Sequence, residues 1–192
     1  NPMRPSRGSR FEGELAYFGA LGGGYTYPLL AGSFTTWFPL SEDFFGRKSV
    51  LKLNTSSGYI FGSSAPVSER FYLGGRSLRG FEFRAISPLS AEEIGADPPT
   101  PASLTPTVNG NGLANGQPIG GTFRFFAGAQ YEVPIFDKFI SGVVFSDSGT
   151  VTDSFNLTPY RVSIGCGVRL YIPQLGQAPL AFDFAVPVVK YE

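Results

Sequence analysis

The sequence predicts an all-β protein, an antiparallel transmembrane β-barrel wall of about seven strands with one long loop. Three observations carry that expectation. Apolar and polar residues alternate with a period of two through most of the chain, so most segments have an oily face and a polar face. Only 16% of residues are charged, where soluble domains have roughly a quarter, while 15% are aromatic and 25 residues are glycine. Such a surface is not built for water on every side. No apolar run approaches the roughly 18 residues of a spanning helix, so any membrane crossing falls to strands.

In chain order, Phe11, Leu15 and Tyr17 oppose Arg10, Glu12 and Glu14 in the first segment. Leu30, Phe34 and Phe38 then oppose Ala31, Ser33 and Thr35, and Leu51, Leu53 and Tyr59 oppose Lys52, Asn54 and Ser56. Segment 122–135 sets Phe123, Phe125, Ala127, Ala129, Tyr131, Val133 and Ile135 against Thr122, Arg124, Gly128, Gln130 and Glu132. Segment 140–149 alternates poorly. The cleanest alternation is 160–172, where Val162, Ile164, Cys166, Val168, Leu170 and Ile172 oppose Arg161, Ser163, Gly165, Gly167, Arg169 and Tyr171. Last, Leu180, Phe182, Phe184, Val186 and Val188 oppose Ala181, Asp183 and Ala185. Alternation alone suits a sandwich as well as a barrel. Strands of about 9 to 14 residues exceed the globular norm and suit tilted membrane strands, and charge on the polar faces suits a lumen.

The connections differ by side. Stretches 39–47, 134–138 and 173–179 are short and marked by proline, whereas 62–121 is long, which matches short periplasmic turns against longer extracellular loops. Within that loop, 88–118 is rich in Pro, Gly, Asn and Thr and predicts a tip without a packed element. Composition shifts nowhere sharply enough to divide the chain, so residues 1–192 are expected to form one domain. Seven strands are odd, whereas single-chain bacterial barrels are even-numbered with at least eight; the expectation is part of a larger barrel, or closure by another chain.

Several function classes are disfavoured. Fifteen basic and fifteen acidic residues cancel and lie scattered, which argues against nucleic acid as a partner. With no histidine there is no histidine-based acid–base chemistry and no metal cluster of the usual His/Cys spacing, and Cys166, alone, forms no internal disulfide. Gly110-Asn111-Gly112 is loop composition rather than a phosphate cradle, and Glu12 with Glu14 is an ordinary pair for a polar wall. No catalytic residue, metal or cofactor is expected.

The most specific stretch is Phe71-Tyr72-Leu73-Gly74-Gly75-Arg76-Ser77-Leu78-Arg79-Gly80-Phe81. It resembles the (V/L)RG(F/Y) loop signature of the BamA family, the outer-membrane barrels that insert other barrels. The likeness extends over nearly the whole chain. Asn1-Pro2 with Arg7-Gly8-Ser9-Arg10 resembles that family's NP...RGSR strand start, and 121–134 resembles the strand after the loop. Phe145-Ser146-Asp147-Ser148-Gly149-Thr150-Val151 is similar to its WDMGTV segment, and 163–185 to its SAG...PLGPL.F..A.P stretch. The short turn after Pro134 and the proline-rich insertion depart from the pattern, and the pattern leads one to expect a further strand, ending in an aromatic residue, after Val188-Val189-Lys190-Tyr191-Glu192. The resemblance implies the C-terminal half of a barrel of roughly 16 strands in the bacterial cell outer membrane, with the loop folded inward. It also implies unfolded outer-membrane protein clients and accessory assembly lipoproteins as partners, besides the outer-membrane lipid bilayer.

Within the loop, Gly74, Gly75 and Gly80 allow backbone conformations that other residues resist, so Leu78, Arg79, Gly80 and Phe81 can turn back into the barrel with Phe81 on the wall. A guanidinium confined there needs carboxylates, and Asp147 and Glu132 stand where the resemblance places its partners. A tight turn after Pro134 leaves those two acids several residues out of step, which makes Asp147 the primary partner. Arg169 and Asp183 lie on polar faces flanking a connection centred on Gly176, and are expected to form a structural cross-strand pair. Arg10, Glu12, Glu14, Lys52 and Arg124 read as hydrated wall charges, Trp37, Phe38, Tyr59 and Phe61 as headgroup-level aromatics, and Cys166 as a small lipid-facing residue.

Three functions follow. The leading one is a BamA-like assembly and insertion factor, in which a client strand adds to an opened seam by backbone pairing. The others are a polypeptide-translocating relative, TamA-like or of the two-partner secretion type, and a passive porin or surface-binding barrel whose outer loop does the work.

Overall fold

The structure is a computed structural model and describes residues 5–20, 22, 24–42, 46–62, 65–89, 117–136, 139–171 and 179–190. Seven antiparallel strands form one sheet in sequential order: β1 (Gly8–Phe18), β2 (Tyr27–Glu42), β3 (Lys48–Ile60), β4 (Phe123–Phe136), β5 (Ile140–Thr152), β6 (Arg161–Leu170) and β7 (Leu180–Val189). The strands run from 10 to 16 residues, so β2 outgrows the expected range. A single 3-10 turn, Val67–Glu69, is the one helical piece among the described residues. The architecture is all-β, a barrel wall that does not close on itself.

Register carries each alternating set onto one face. Reading across the ladder, Glu12, Ser33, Ser56, Phe126 and Gly149 are successive partners, and so are Asn54, Gly128, Asp147, Ser163 and Pro187. This is the inner face, because the β3–β4 loop lies on it. The opposite face carries Leu15, 82% exposed, Phe184, 77% exposed, and Phe11, Val144, Ile164, Phe182 and Val186, all without covering side chains. Buried positions include Asp147, Ser163 and Arg169 on the inner face, while large apolar side chains stand exposed on the outer one. That polarity is the reverse of a soluble sandwich and suits lipid outside.

The weak alternation of segment 140–149 has a cause in packing. On β5 the inner face holds Val143, Phe145 and Val151, all buried, with Val151 in the nucleus shared with the loop and Phe145 under the Arg79 guanidinium. Its outer face instead carries Ser146, Ser148, Thr150 and Thr152. Their hydroxyls donate to the carbonyls of Ser163, Ala127, Pro159 and Ser154 at 3.2, 3.0, 2.6 and 2.7 Å. The connection 153–160 thus folds back over the outside of β5, and hydroxyl groups on a lipid-side face have no need of water.

Two prolines read as turn markers lie inside strands. Pro39 in β2 and Pro134 in β4 each sit at a register shift, where a residue without an N–H can be tolerated in a ladder. Trp37 is also displaced from its expected place. It pairs with Gly8 and Lys52 and faces inward, while Tyr59, Phe61, Phe123 and Phe155 make the aromatic cluster at the loop end, with neighbouring centroids 4.7 to 6.4 Å apart. The start at Asn1-Pro2, the greater part of 88–118 and the turn around Gly176 fall outside the described residues.

Candidate functional site

The loop leaves β3 at Ile60 and is tied down in stages. Phe71 and Gly121 exchange backbone hydrogen bonds at 2.9 and 3.0 Å, and Leu73 and Ile86 do so at 3.0 and 3.1 Å, which makes 73–86 a narrow hairpin-like arm. Gly75 donates to the Phe81 carbonyl at 2.9 Å and closes the tip. Gly74 has φ 121° and a Cβ there would meet the Glu82 carbonyl oxygen at 2.1 Å, so only glycine fits this bend. Leu73, Leu78 and Ile86 form an apolar nucleus with Phe126 of β4 and Val151 of β5, with Phe71 and Phe81 packed against it. Leu78, fully buried, is the pin, and it carries its neighbour Arg79 onto the wall.

Arg79 is held in three directions. Its Nε donates to Asp147 Oδ2 at 2.7 Å and its Nη2 to Asp147 Oδ1 at 2.9 Å, a bidentate fork onto β5. Nη1 donates to Gln130 Oε1 of β4 at 3.3 Å and to Asp183 Oδ2 of β7 at 3.2 Å. The guanidinium carbon also lies 3.4 Å from the Phe145 ring centroid, so the cation stacks on an aromatic floor. Burial works against the Arg79 charge, but the hydrogen bonds and negative charge of Asp147, then of Asp183, more than offset it and hold its pKa above the ordinary arginine value.

Asp183 is shared. Both terminal nitrogens of Arg169 donate to it, Nη2 to Oδ2 at 2.9 Å, so two arginines and two aspartates form one linked cluster. Arg169 and Asp183 were expected directly opposite one another; the register pairs Gly167 with Asp183 and Arg169 with Ala181, so they meet on the diagonal. Glu132 does not join the acceptors bonded by Arg79. It pairs with Val143, four residues along β4 from the Gly128 partner of Asp147, or roughly 13 Å down the strand, and it accepts from the Tyr171 hydroxyl at 3.0 Å. Asp183 and Gln130 occupy the places around Arg79 that Glu132 was expected to share.

Glycines make the room. A Cβ at Gly165 would lie 2.4 Å from the Phe145 ring, one at Gly167 2.1 Å from Asp183 Oδ1, and one at Gly128 3.1 Å from Asp147 Oδ1. Sequence reasoning passed over Gln130, Phe145 and the inner-face glycines as site components; the signal available for them was the shared two-residue period with Asp147. Among the wall charges, Arg10 bonds Glu12 on β1, whereas Arg124 is not bathed in water but tucked beneath the loop, its guanidinium 5.0 Å from the Phe71 ring.

A sheet with an oily outer face, a polar inner wall and an arginine-tipped loop pinned to it defines the wall of a transmembrane β-barrel. The family model described as the Omp85 superfamily domain matches residues 1–192, and the chain belongs to that superfamily. Membership supports outer-membrane protein insertion or translocation as its general business.

Proposed function

We propose that the chain, one domain over 1–192, is the C-terminal part of the barrel of a BamA-like assembly factor. In this reading it inserts other barrels by letting a client strand add at a lateral seam. The observation that carries the reading is the bidentate hold of Asp147 on Arg79, next to Gly80 and Phe81 in the loop segment that resembles the BamA signature. The physical work is backbone pairing. An unpaired N–H or C=O in lipid costs several kcal/mol, so a client strand that finds a partner edge enters the bilayer with its polar backbone satisfied. Leu78, Arg79, Gly80 and Phe81 with Gly74 and Gly75 form the working loop tip in this account. Asp147 is its primary anchor and the Arg169–Asp183 pair its support; Glu132 stands apart, four residues further along the same wall. Unfolded outer-membrane proteins are the clients, and accessory lipoproteins are partners.

The full-length protein in proteoliposomes should speed folding of a reporter barrel over empty vesicles, and Arg79→Ala should remove most of that gain. No acceleration by the folded wild-type protein refutes the reading. Secretion-type relatives make the opposite pair of predictions, with export of a cognate polypeptide and steady ion conductance but no faster folding of reporter barrels.

A further inference from the structure

Asp183 stands on β7, the last strand of the sheet, which is backbone-bonded only to β6 among the described strands. Two groups reach it. Arg169 of β6 holds it from the wall, and Arg79 reaches it from a loop 104 residues away in sequence. The same guanidinium grips Asp147 on β5 and Gln130 on β4, so one loop side chain touches three strands directly and β6 through the shared carboxylate. Beside it the backbone does likewise. A Cβ at Gly80 would lie 3.2 Å from Ser163 Cβ of β6 and 3.3 Å from Ala185 Cβ of β7, so the loop tip rests across the β6–β7 boundary.

We propose that Asp183 couples the docked loop to β7, making the Arg79 tip a strap across the β6–β7 boundary. Free-energy coupling between two sites is reciprocal, so whatever lifts Arg79 off the wall loosens β7, and whatever draws β7 away from β6 loosens the loop. Asp183 is suited to this because it is not left bare when the strap opens. Arg169 keeps it paired, so opening leaves no lone charge on β7, which stays attached, less firmly. This coupling stands apart from the insertion reading and holds for a translocating or a passive barrel alike.

Hydrogen exchange on the full-length protein in lipid nanodiscs, read by mass spectrometry, tests it with Arg79→Gln and Asp183→Asn. Arg79→Gln should speed exchange in the loop and, about tenfold, in peptides covering 180–189, the size expected of the one charge-assisted hydrogen bond that Asp183 loses. Asp183→Asn should speed exchange at 73–86 in return. Peptides of β2, which Arg79 does not touch, should keep the wild-type rate in both. The coupling is overturned if Arg79→Gln disturbs the loop and leaves β7 unchanged, if Asp183→Asn disturbs β7 alone, or if β2 and β7 accelerate together. Should Arg79→Gln fail to fold, Arg79→Lys keeps the charge but loses the fork, and the same three comparisons decide.

Discussion

Replacing Arg79 with alanine removes both fork bonds to Asp147 and leaves that carboxylate, 4% exposed, facing an empty place. Breaking a buried pair on one side costs about 3–5 kcal/mol, and the 21% exposure of the guanidinium scales this to about 2–4 kcal/mol. Loss of the stack on Phe145 adds about 0.5–1 kcal/mol. The cost falls on docking of the loop, because the wall strands keep their own ladders. The opening free energy of 73–86 should therefore drop by about 3 kcal/mol, roughly a hundredfold in exchange rate. The amides to watch are Leu73, Gly75 and Ile86, whose bonds to Ile86, Phe81 and Leu73 exist only while the arm is folded. Asp147→Ala should give a similar acceleration, and the double variant should fall short of the sum by at least about 1 kcal/mol. Exchange at those amides within about twofold of wild type in Arg79→Ala would mean that the apolar nucleus alone holds the loop, and the argument for a working arginine fails with it.

Other substitutions probe separate parts of the structure. Leu78→Ala empties a fully buried position between loop and wall and should cost about 2–5 kcal/mol, seen as protease cleavage inside 73–86 of a barrel still resistant elsewhere. Gly165→Ala would set a methyl 2.4 Å from both the Phe145 ring and the Phe184 carbonyl oxygen, so β6 and β7 must part; a fall in denaturation stability of about 2 kcal/mol or more is expected. Cys166 lies exposed on the outer face between Val144 and Phe184. In a bilayer it should resist a water-soluble maleimide and react once the protein is denatured, whereas fast labelling of the folded protein in vesicles contradicts the lipid-side assignment.

The strands that alternate cleanly in sequence are the ones whose two faces meet single environments, lipid on one side and the polar wall on the other, as in β6 and β7. Segment 140–149 resisted reading because β5 meets protein on both faces. The loop lies inside and the 153–160 connection outside, so Phe145 and Val151 appear where polar residues were expected and Ser146, Ser148, Thr150 and Thr152 where oily ones were. Trp37 went astray because proximity to a strand end says nothing of parity, and its register with Lys52 decides its face. At the site, Arg79 stood out in the sequence beside glycines, Asp147 through the likeness of its segment to the family pattern, and Asp183 as the expected cross-strand partner of Arg169. That Asp183 rather than Glu132 accompanies Asp147 did not, because it depends on how far the arm reaches over the wall, which no local spacing encodes.

Glycines on the inner wall make the loop and the sheet depend on one another. Gly128, Gly149, Gly165 and Gly167 sit on β4, β5 and β6 where a Cβ would collide with a neighbour within about 3 Å, Leu73 of the loop among the atoms met at Gly149. Each glycine weakens its strand by about 0.5–1 kcal/mol relative to alanine and offers no side chain to its cross-strand partners. What offsets this is burial under the arm: Leu73, Leu78 and Ile86 pack on Phe126 and Val151 of the wall, and the Arg79 fork holds Asp147 beside them. The inner face of β2, with Ala31, Ser33 and Thr35, carries no such gap. Leu73 and Ile86 are already bridged, so a two-residue turn can replace 74–85 without moving the wall. In that variant exchange should rise at Gly149 and along β6 by an order of magnitude while β2 is spared. Equal protection of β6 and β2 after the deletion would show that these strands are stable without the arm, and that the glycines serve something other than its seating.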